Sequence, residues 1–175
     1  MIHRRDFVRG MMKFAWDGYK EKAWGYNEVK PDSGRPSTSN IFGAAQTGAT
    51  IIDGLDTLWI MGLKQEFKDG QEWVSNNFSL KLSTQSLSAF ETVIRFLGGL
   101  MGAYRMSGDF MFVEKAIDVA RSIDPAFSSG PLPAGKSFNH KEGCVFPMVI
   151  RSEFRLRPYR NDDHQLDAPA LVLLY

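Results

Sequence analysis

The chain has 175 residues, of which 43% are hydrophobic and 23% are charged, and its formal net charge is +1 at pH 7. These values predict a soluble globular protein with one sizeable core. The near-zero net charge argues against a nucleic-acid partner, and the single cysteine, Cys144, excludes an internal disulfide.

The N-terminal residues MIHRRDFVRG are charged, and no apolar stretch follows them, so no signal peptide is predicted. The last apolar run, APALVLLY, is much shorter than the roughly 20 apolar residues that span a bilayer. We therefore expect neither a leader nor a membrane anchor within these residues.

Periodic apolar residues predict an all-α fold. Helices are expected over residues 4–24, 50–63, 66–76, 89–106 and 109–123. Proline and glycine indicate a loop at 29–40, and the alternation in FSLKLS predicts a short strand or extended segment at 78–83. Consecutive helical hairpins with short connections are typical of a helical array or an α/α barrel.

The character of the chain changes after Phe127. The composition of residues 128–143 indicates a loop, and from Cys144 onward Pro147 and Pro158 interrupt the apolar runs. We predict one helical domain over residues 4–127, followed by a loop and an irregular tail over 128–175 that need not be ordered.

The segment SLSAFETVIRFLGGLMGAYRMSG, residues 86–108, has two faces on a helical wheel. The broad apolar face contains Phe90, Val93, Ile94, Leu97, Leu100, Met101 and Tyr104. The opposite face carries Glu91, Arg95, Gly98 and Gly102. A glycine inside a helix costs about 0.5–1 kcal/mol relative to alanine. Three glycines in one helix, Gly98, Gly99 and Gly102, therefore indicate that another helix or a ligand approaches the backbone closely.

Two ordinary roles compete with a catalytic role for Glu91. Ser88 and Glu91 match a capping box, and Glu91 and Arg95 have the spacing of a surface ion pair. A catalytic role also meets a chemical objection, because an arginine favours the ionised form of a carboxyl group whereas a general acid must hold a proton. Burial or a second carboxylate would have to outweigh Arg95.

Four stretches together resemble the class I α-mannosidases of glycoside hydrolase family 47. They are MMKFAWDGYKEKAWGYNEVKP, STSNIFGAAQTGATIIDGLDTLWIMGL, EFKDGQEWV and SAFETVIRFLGGLMGAYRMSGD, in the family's order and approximate spacing. The resemblance covers residues 4–127, the N-terminal portion of the family's domain. AWGYNEVKP and NIFG resemble the Golgi-type processing branch more than the degradation-linked one.

The resemblance implies part of an (αα)7 barrel and the inverting removal of α-1,2-linked mannose from high-mannose N-glycans, with Ca²⁺ as cofactor. It makes Glu91 the general acid and Arg95 a contact to the substrate mannose. Asp53 and Asp56, from the family's D-x-L-D-T segment, are expected to support the helix structurally, and substrate binding is the alternative. Trp16, Trp24 and Trp59 are expected in the core or between hairpins rather than on a sugar platform.

The same resemblance implies that much of the active site is missing from these residues. The family's catalytic base, its Ca²⁺ ligand and most mannose contacts belong to later hairpins, and no metal ligand is expected here. His3, His140 and His164 match no family position. We therefore expect an inactive fragment, as a truncated gene model would produce. The alternative is a non-catalytic mannose-glycan-binding or scaffold protein.

By family, the chain is expected in the secretory pathway, in the Golgi or endoplasmic reticulum lumen, as part of a type II membrane protein. Asn77-Phe78-Ser79 also fits the acceptor pattern for N-glycosylation. Such triplets are common by chance, and this one matters only in a secretory lumen.

Overall fold

A computed structural model describes residues 2–38, 42–83 and 86–127, together with two strands at 135–139 and 143–147. Six helical elements account for most of this part of the chain. They are α1 (Ile2–Ala23), α2 (Ala49–Ile60), α3 (Lys64–Asn77), α4 (Ala89–Glu91), α5 (Gly98–Ser107) and α6 (Met111–Ile123). A π-helical segment, Thr92–Leu97, joins α4 to α5. The predicted all-α architecture of helical hairpins is confirmed.

Helix α2 lies at the centre of the core. Its side chains at Ile51, Ile52, Leu55 and Leu58 are at most 1% exposed. Helix α3 follows after a tight turn at Gly62, and α5 and α6 pack on the other sides of the same core. Because α2 is covered on several sides, it is the fixed element against which the helix carrying Glu91 is positioned.

An aromatic group holds α1 against this core. Trp16, Tyr19 and Trp24 contact one another with ring centroids 5.6–5.9 Å apart. Trp16 is 2% exposed, whereas Trp59 is 39% exposed and packs edge-on against Phe67. As predicted, Trp16 lies in the core and Trp24 packs against it. Trp59 is a partly exposed contact between α2 and α3.

Trp73 of α3 packs against the backbone at two glycines. A methyl group added at Gly25 would lie 2.9 Å from Nε1 of Trp73, and one added at Gly48 would overlap the same ring. Gly48 has φ 63° and donates a hydrogen bond to Gly25 O at 3.1 Å. Glycine is thus required immediately before α2, for its backbone conformation and for lack of space.

Three segments differ from the predictions. The loop at 29–40 contains a short antiparallel ladder of β1 (Val29–Lys30) and β2 (Arg35–Pro36). The segment at 78–83 forms a 3₁₀ turn over Leu80–Leu82 between extended residues, because Ser79 caps the turn by accepting a hydrogen bond from Lys81 N. Its alternation reflects the burial of Phe78 and Leu80 rather than a strand.

The third difference is a sheet of β3 (Leu87–Ser88), β4 (Gly135–Asn139) and β5 (Gly143–Pro147), in that order. Strands β4 and β5 lie where a loop and the start of an irregular tail were predicted. Strand β4 pairs with β5 next to it in the chain and with β3 roughly fifty residues earlier, and local composition does not reveal the second pairing. The predictions for residues 148–175 lie outside the described residues.

Large apolar side chains remain exposed on two helical faces. On α1, Phe7 is 70% and Phe14 is 82% exposed, and on α4 and the π segment, Phe90 is 66% and Ile94 is 48% exposed. The predicted apolar face of the Glu91 helix is therefore only partly buried. In the described part of the chain, no helix is both long and apolar enough to cross a membrane.

Candidate active site

Three side chains from two helices form a charged cluster, which consists of Asp53, Glu91 and Arg95. Arg95 donates from Nε to Oε2 of Glu91 at 2.7 Å and from Nη1 to Oδ2 of Asp53 at 2.8 Å. Its guanidinium thus bridges α2 and the π segment. The side chains of Asp53, Glu91 and Arg95 are 34%, 25% and 42% exposed, so a ligand can reach them from solvent.

The sequence around Glu91 fixes the start of its helix. Ser88 is the N-cap of α4, and its hydroxyl accepts a hydrogen bond from Glu91 N at 3.3 Å. Ser88 also pairs with Ser137 of β4, and Leu87 pairs with Phe138. The sheet therefore holds the chain three residues before Glu91. The Glu91 amide thus forms one of the two hydrogen bonds of a capping box, while the Glu91 carboxylate accepts its bond from Arg95.

The π-helical geometry at Thr92–Leu97 includes Arg95. Single π-turns inside α-helices are rare and occur often at functional sites, because they redirect side chains relative to the rest of the helix. Here the segment lies between Glu91 and the glycines of α5. A helical wheel with constant α-helical spacing did not predict it.

Helix α2 packs against two of the three glycines of α5, Gly99 and Gly102, whereas Gly98 meets only Val93 O at 3.6 Å. A methyl group added at Gly99 would lie 2.8 Å from Cγ2 of Ile52 and 3.1 Å from Ile52 O. One added at Gly102 would lie 3.6 Å from Oδ2 of Asp56. The close approach at Gly99 is therefore that of a helix, whereas the contact at Gly102 has an ordinary van der Waals distance.

The two expected supporting residues have different contacts. Asp53 reaches across to Arg95, 42 residues later in the chain. Asp56 instead bonds locally, accepting from Thr57 N at 2.6 Å and from Thr57 Oγ1 at 3.3 Å. Asp53 is therefore part of the charged cluster, and Asp56 stands behind it against Gly102.

Electrostatics in the cluster favour a permanently charged arginine and a less readily ionised aspartate. The hydrogen bond to Glu91, followed by that to Asp53, raises the pKa of Arg95. Burial raises the pKa of Asp53, the nearby carboxylates of Asp56 and Glu91 add to the rise, and Arg95 opposes it. Arg95 forms ion pairs with both carboxylates, so Glu91 is not its only partner.

The described residues contain no group of three or more His, Cys, Asp and Glu side chains that could hold a metal ion. The cluster, with its arginine between two carboxylates, is not suited to Ca²⁺, which requires six to eight oxygen ligands.

Comparison with known proteins decides the family. The model of glycosyl hydrolase family 47 matches residues 11–144. The chain belongs to this family.

Its family 47 relatives include the mouse protein named mannosyl-oligosaccharide 1,2-alpha-mannosidase IB, 47% identical over 126 residues, 72% of this chain and 20% of that protein. The Caenorhabditis elegans mannosyl-oligosaccharide 1,2-alpha-mannosidase mans-2 is 48% identical over 126 residues, 72% of this chain and 21% of that protein. The rat endoplasmic reticulum mannosyl-oligosaccharide 1,2-alpha-mannosidase is 47% identical over 115 residues, 66% of this chain and 17% of that protein. The chain thus spans about a fifth of the length of these relatives.

The fold comparison agrees with this family. An alpha-1,2-mannosidase from Trichoderma reesei matches with a TM-score of 0.70 at 24% identity, over 85% of this chain and 32% of that structure. The predicted partial barrel is therefore confirmed. The family match also continues to residue 144, into the sheet that supports Ser88, whereas the sequence resemblance had been followed only to Phe127.

Proposed function

We propose that this chain contributes the general-acid part of an α-1,2-mannosidase that trims high-mannose N-glycans with inversion. The observation that carries the proposal is the charged cluster at an accessible surface of a family 47 chain. Glu91 is 25% exposed, so its carboxyl group can meet a leaving-group oxygen without leaving its helix. Arg95, 42% exposed, is placed beside it to contact the departing or neighbouring mannose hydroxyls.

Asp53 is the second partner of the arginine that lies beside Glu91. It takes one of the two hydrogen bonds that Arg95 donates within the cluster, at 2.8 Å. We infer that Asp53 positions Arg95 through this hydrogen bond, whereas the sequence favoured structural support of its own helix, and that Asp56 supports the helix contact.

Hydrolysis with inversion requires a second carboxyl group about 6.5–9.5 Å from the acid, with a water molecule between them. In the described residues the carboxylate that shares Arg95 with Glu91 is Asp53, and its ion pair with Arg95 at 2.8 Å gives it a positioning role rather than that of the base. We propose that the base comes from other parts of the family's barrel. The chain alone is then expected to be inactive or nearly so.

Calcium enters this proposal only as a family property. The charged cluster does not fit the ion, so the family's Ca²⁺ ligand is proposed to lie outside the described residues. The roles proposed for Glu91 and Arg95 do not involve the metal.

The acid role is tested in a complete barrel. Residues 4–127 of this chain replace the matching segment of one of the mannosidase relatives, and turnover of a high-mannose N-glycan is measured with Ca²⁺. We expect the chimera to be active and Glu91→Gln to lower kcat about 10²–10⁴-fold with little change in KM, as for loss of a general acid. Glu114→Gln, on the exposed side of α6, is the matched control and should retain activity.

An active chimera whose kcat survives Glu91→Gln would remove Glu91 from the acid role. Arg95→Lys tests the proposed contact between Arg95 and mannose, because lysine keeps the charge but cannot form two hydrogen bonds in the same fork geometry. We expect it mainly to raise KM.

The isolated chain tests the expectation of inactivity. The purified 175-residue protein is incubated with a high-mannose glycan and Ca²⁺, and no released mannose is expected. Mannose release that Glu91→Gln abolishes would overturn the claim.

The exposure of Arg95 also favours a second candidate, a protein that binds mannose glycans without hydrolysing them. Binding to a mannoside that persists in Glu91→Gln and disappears in Arg95→Ala would support this function. Absence of binding by the purified chain would remove it.

We propose a location in the secretory pathway, because relatives of comparable identity include proteins named for the endoplasmic reticulum. The Golgi assignment and the type II membrane arrangement are finer proposals that rest on the family. Immunolocalisation of the full-length product, with endoplasmic reticulum and Golgi markers, distinguishes them.

A further inference from the structure

The only N-x-S/T triplet in the sequence lies at the end of α3, at Asn77-Phe78-Ser79. Asn77 is the last residue of the helix and is exposed, while Phe78 is 4% exposed and Ser79 is half-buried. The chain turns from helical to extended at Phe78, with φ −68° and ψ 123°. The acceptor asparagine therefore lies on the surface, next to a backbone that has already left the helix.

The middle residue of the triplet anchors it to the core. The ring of Phe78 stacks on Phe96 at a centroid distance of 5.6 Å, and Phe78 O accepts a hydrogen bond from Lys115 Nζ at 3.2 Å. With Phe78 directed inwards, a large group on Asn77 extends into solvent without displacing core side chains.

The hydrogen bond that the Asn77 side chain donates is compatible with glycosylation of the same residue. Its Nδ2 donates to Trp73 O at 3.2 Å. A glycosylated amide nitrogen keeps one of its two hydrogens, so it can still donate to this carbonyl and hold the first sugar in a fixed direction.

We propose that Asn77 is N-glycosylated. In the transfer, Asn77 Nδ2 forms a bond to C1 of an oligosaccharide carried on a polyprenyl diphosphate. The bond from C1 to the diphosphate oxygen breaks, the diphosphate leaves with the bonding electrons, and Nδ2 loses one proton. The host's oligosaccharide transferase supplies the donor and catalyses the step. The proposal rests on the secretory location given above but not on the mannosidase activity.

The test expresses the full chain in cultured animal cells behind a cleavable signal peptide, with a separate acceptor triplet of known use in a C-terminal tag. The tag reports that each molecule reached the lumen. Gel mobility is compared before and after digestion with a peptide N-glycosidase, and the modified peptide is identified by mass spectrometry. Two glycans per chain are expected, one on the tag and one on Asn77.

Four variants locate the modification. Asn77→Gln and Ser79→Ala should each lose one glycan, whereas Ser79→Thr keeps the acceptor pattern and should retain both. Asn76→Gln is the matched control, since Asn76 is exposed beside Asn77 but lies outside the triplet. A chain glycosylated on its tag but not on Asn77 would overturn the proposal, as would a second glycan that persists in Asn77→Gln. Neither result depends on the mannosidase assay.

Discussion

Asn27 is the residue on which the start of α2 depends most. It is 1% exposed, and its Oδ1 accepts hydrogen bonds from Thr47 Oγ1 at 2.6 Å and Ala49 N at 3.2 Å. Its Nδ2 donates to Ala45 O at 2.8 Å. Thr50 bonds to the Asn27 main-chain oxygen through both its amide and its hydroxyl. One side chain thus ties the segment after α1 to the helix that carries Asp53.

We predict that Asn27→Ala lowers the free energy of unfolding by about 2–4 kcal/mol. Several buried groups would lose their partner at once, and each buried group left unsatisfied costs about 1–3 kcal/mol. Urea denaturation followed by circular dichroism measures the change. Asn76→Ala, at an exposed position, is the control and should change stability by less than about 0.5 kcal/mol. Equal stability of the two variants would contradict the role assigned to Asn27.

Tyr19 provides a test at alkaline pH. Its hydroxyl donates to Tyr26 O at 2.6 Å, and burial raises its pKa above the usual 10.0, which a hydrogen bond from the Gly25 backbone partly opposes. The folded protein therefore keeps the proton after the unfolded chain has begun to lose it. Stability due to neutral Tyr19 is complete below pH 10.0 and is lost as the pH rises above that value.

Tyr19→Phe should cost about 1 kcal/mol at neutral pH, for the lost hydrogen bond. Above pH 10 the variant should lose stability less steeply than the wild-type chain. Thermal melts at a series of pH values compare the two slopes, and Tyr104→Phe, half-buried elsewhere, serves as control. Parallel slopes for wild type and Tyr19→Phe would show that folding does not change the pKa of Tyr19.

At the scale of elements, the contact between α2 and α5 determines where Glu91 and Arg95 meet Asp53. The periodicity of the sequence was sufficient to predict the helices, and its glycines predicted a close approach that the structure shows at Gly99 but not at Gly98. The sequence was not sufficient to predict the π segment, because a helical wheel assumes constant α-helical spacing. It was also not sufficient to predict the pairing of β3 with β4, because these strands lie far apart in the chain.

The adjacent glycines of α5 should respond to alanine with opposite signs. In Gly99→Ala the new methyl group would lie 2.8 Å from Ile52, so the helices must move apart and stability should fall by about 1–3 kcal/mol. In Gly98→Ala the nearest atom, Val93 O, is 3.6 Å away, and the gain in helix propensity should add about 0.5–1 kcal/mol. Denaturation midpoints measured in one buffer compare the pair. The same sign for both would refute the close packing of α5 on α2.

At the scale of the whole molecule, the prominent feature is apolar surface that the described residues leave uncovered. Phe7, Met11 and Phe14 lie on one helix and are 57–82% exposed. Exposed patches of this kind mark faces that bind other protein surfaces. They fit a chain that covers 32% of the matching mannosidase structure.

We predict that the purified chain self-associates through this surface of α1. Replacing Phe7 and Phe14 together by serine should shift sedimentation towards monomer with little loss of stability, because both side chains are already mostly in water. Analytical ultracentrifugation over a range of concentrations measures the shift. Leu82→Ser, 52% exposed in a different segment, is the control and should leave association unchanged. Unaltered association in the double variant would place the contact elsewhere.

The charged cluster also has a consequence for the order in which the protein is made. Its most distant members, Asp53 and Arg95, are 42 residues apart. At a synthesis rate of about 5–20 residues per second, both leave the ribosome within about 2–8 s of each other. Asp53 and Arg95 can therefore meet while the residues after them are still being translated, so that the charged cluster can form before the chain is complete.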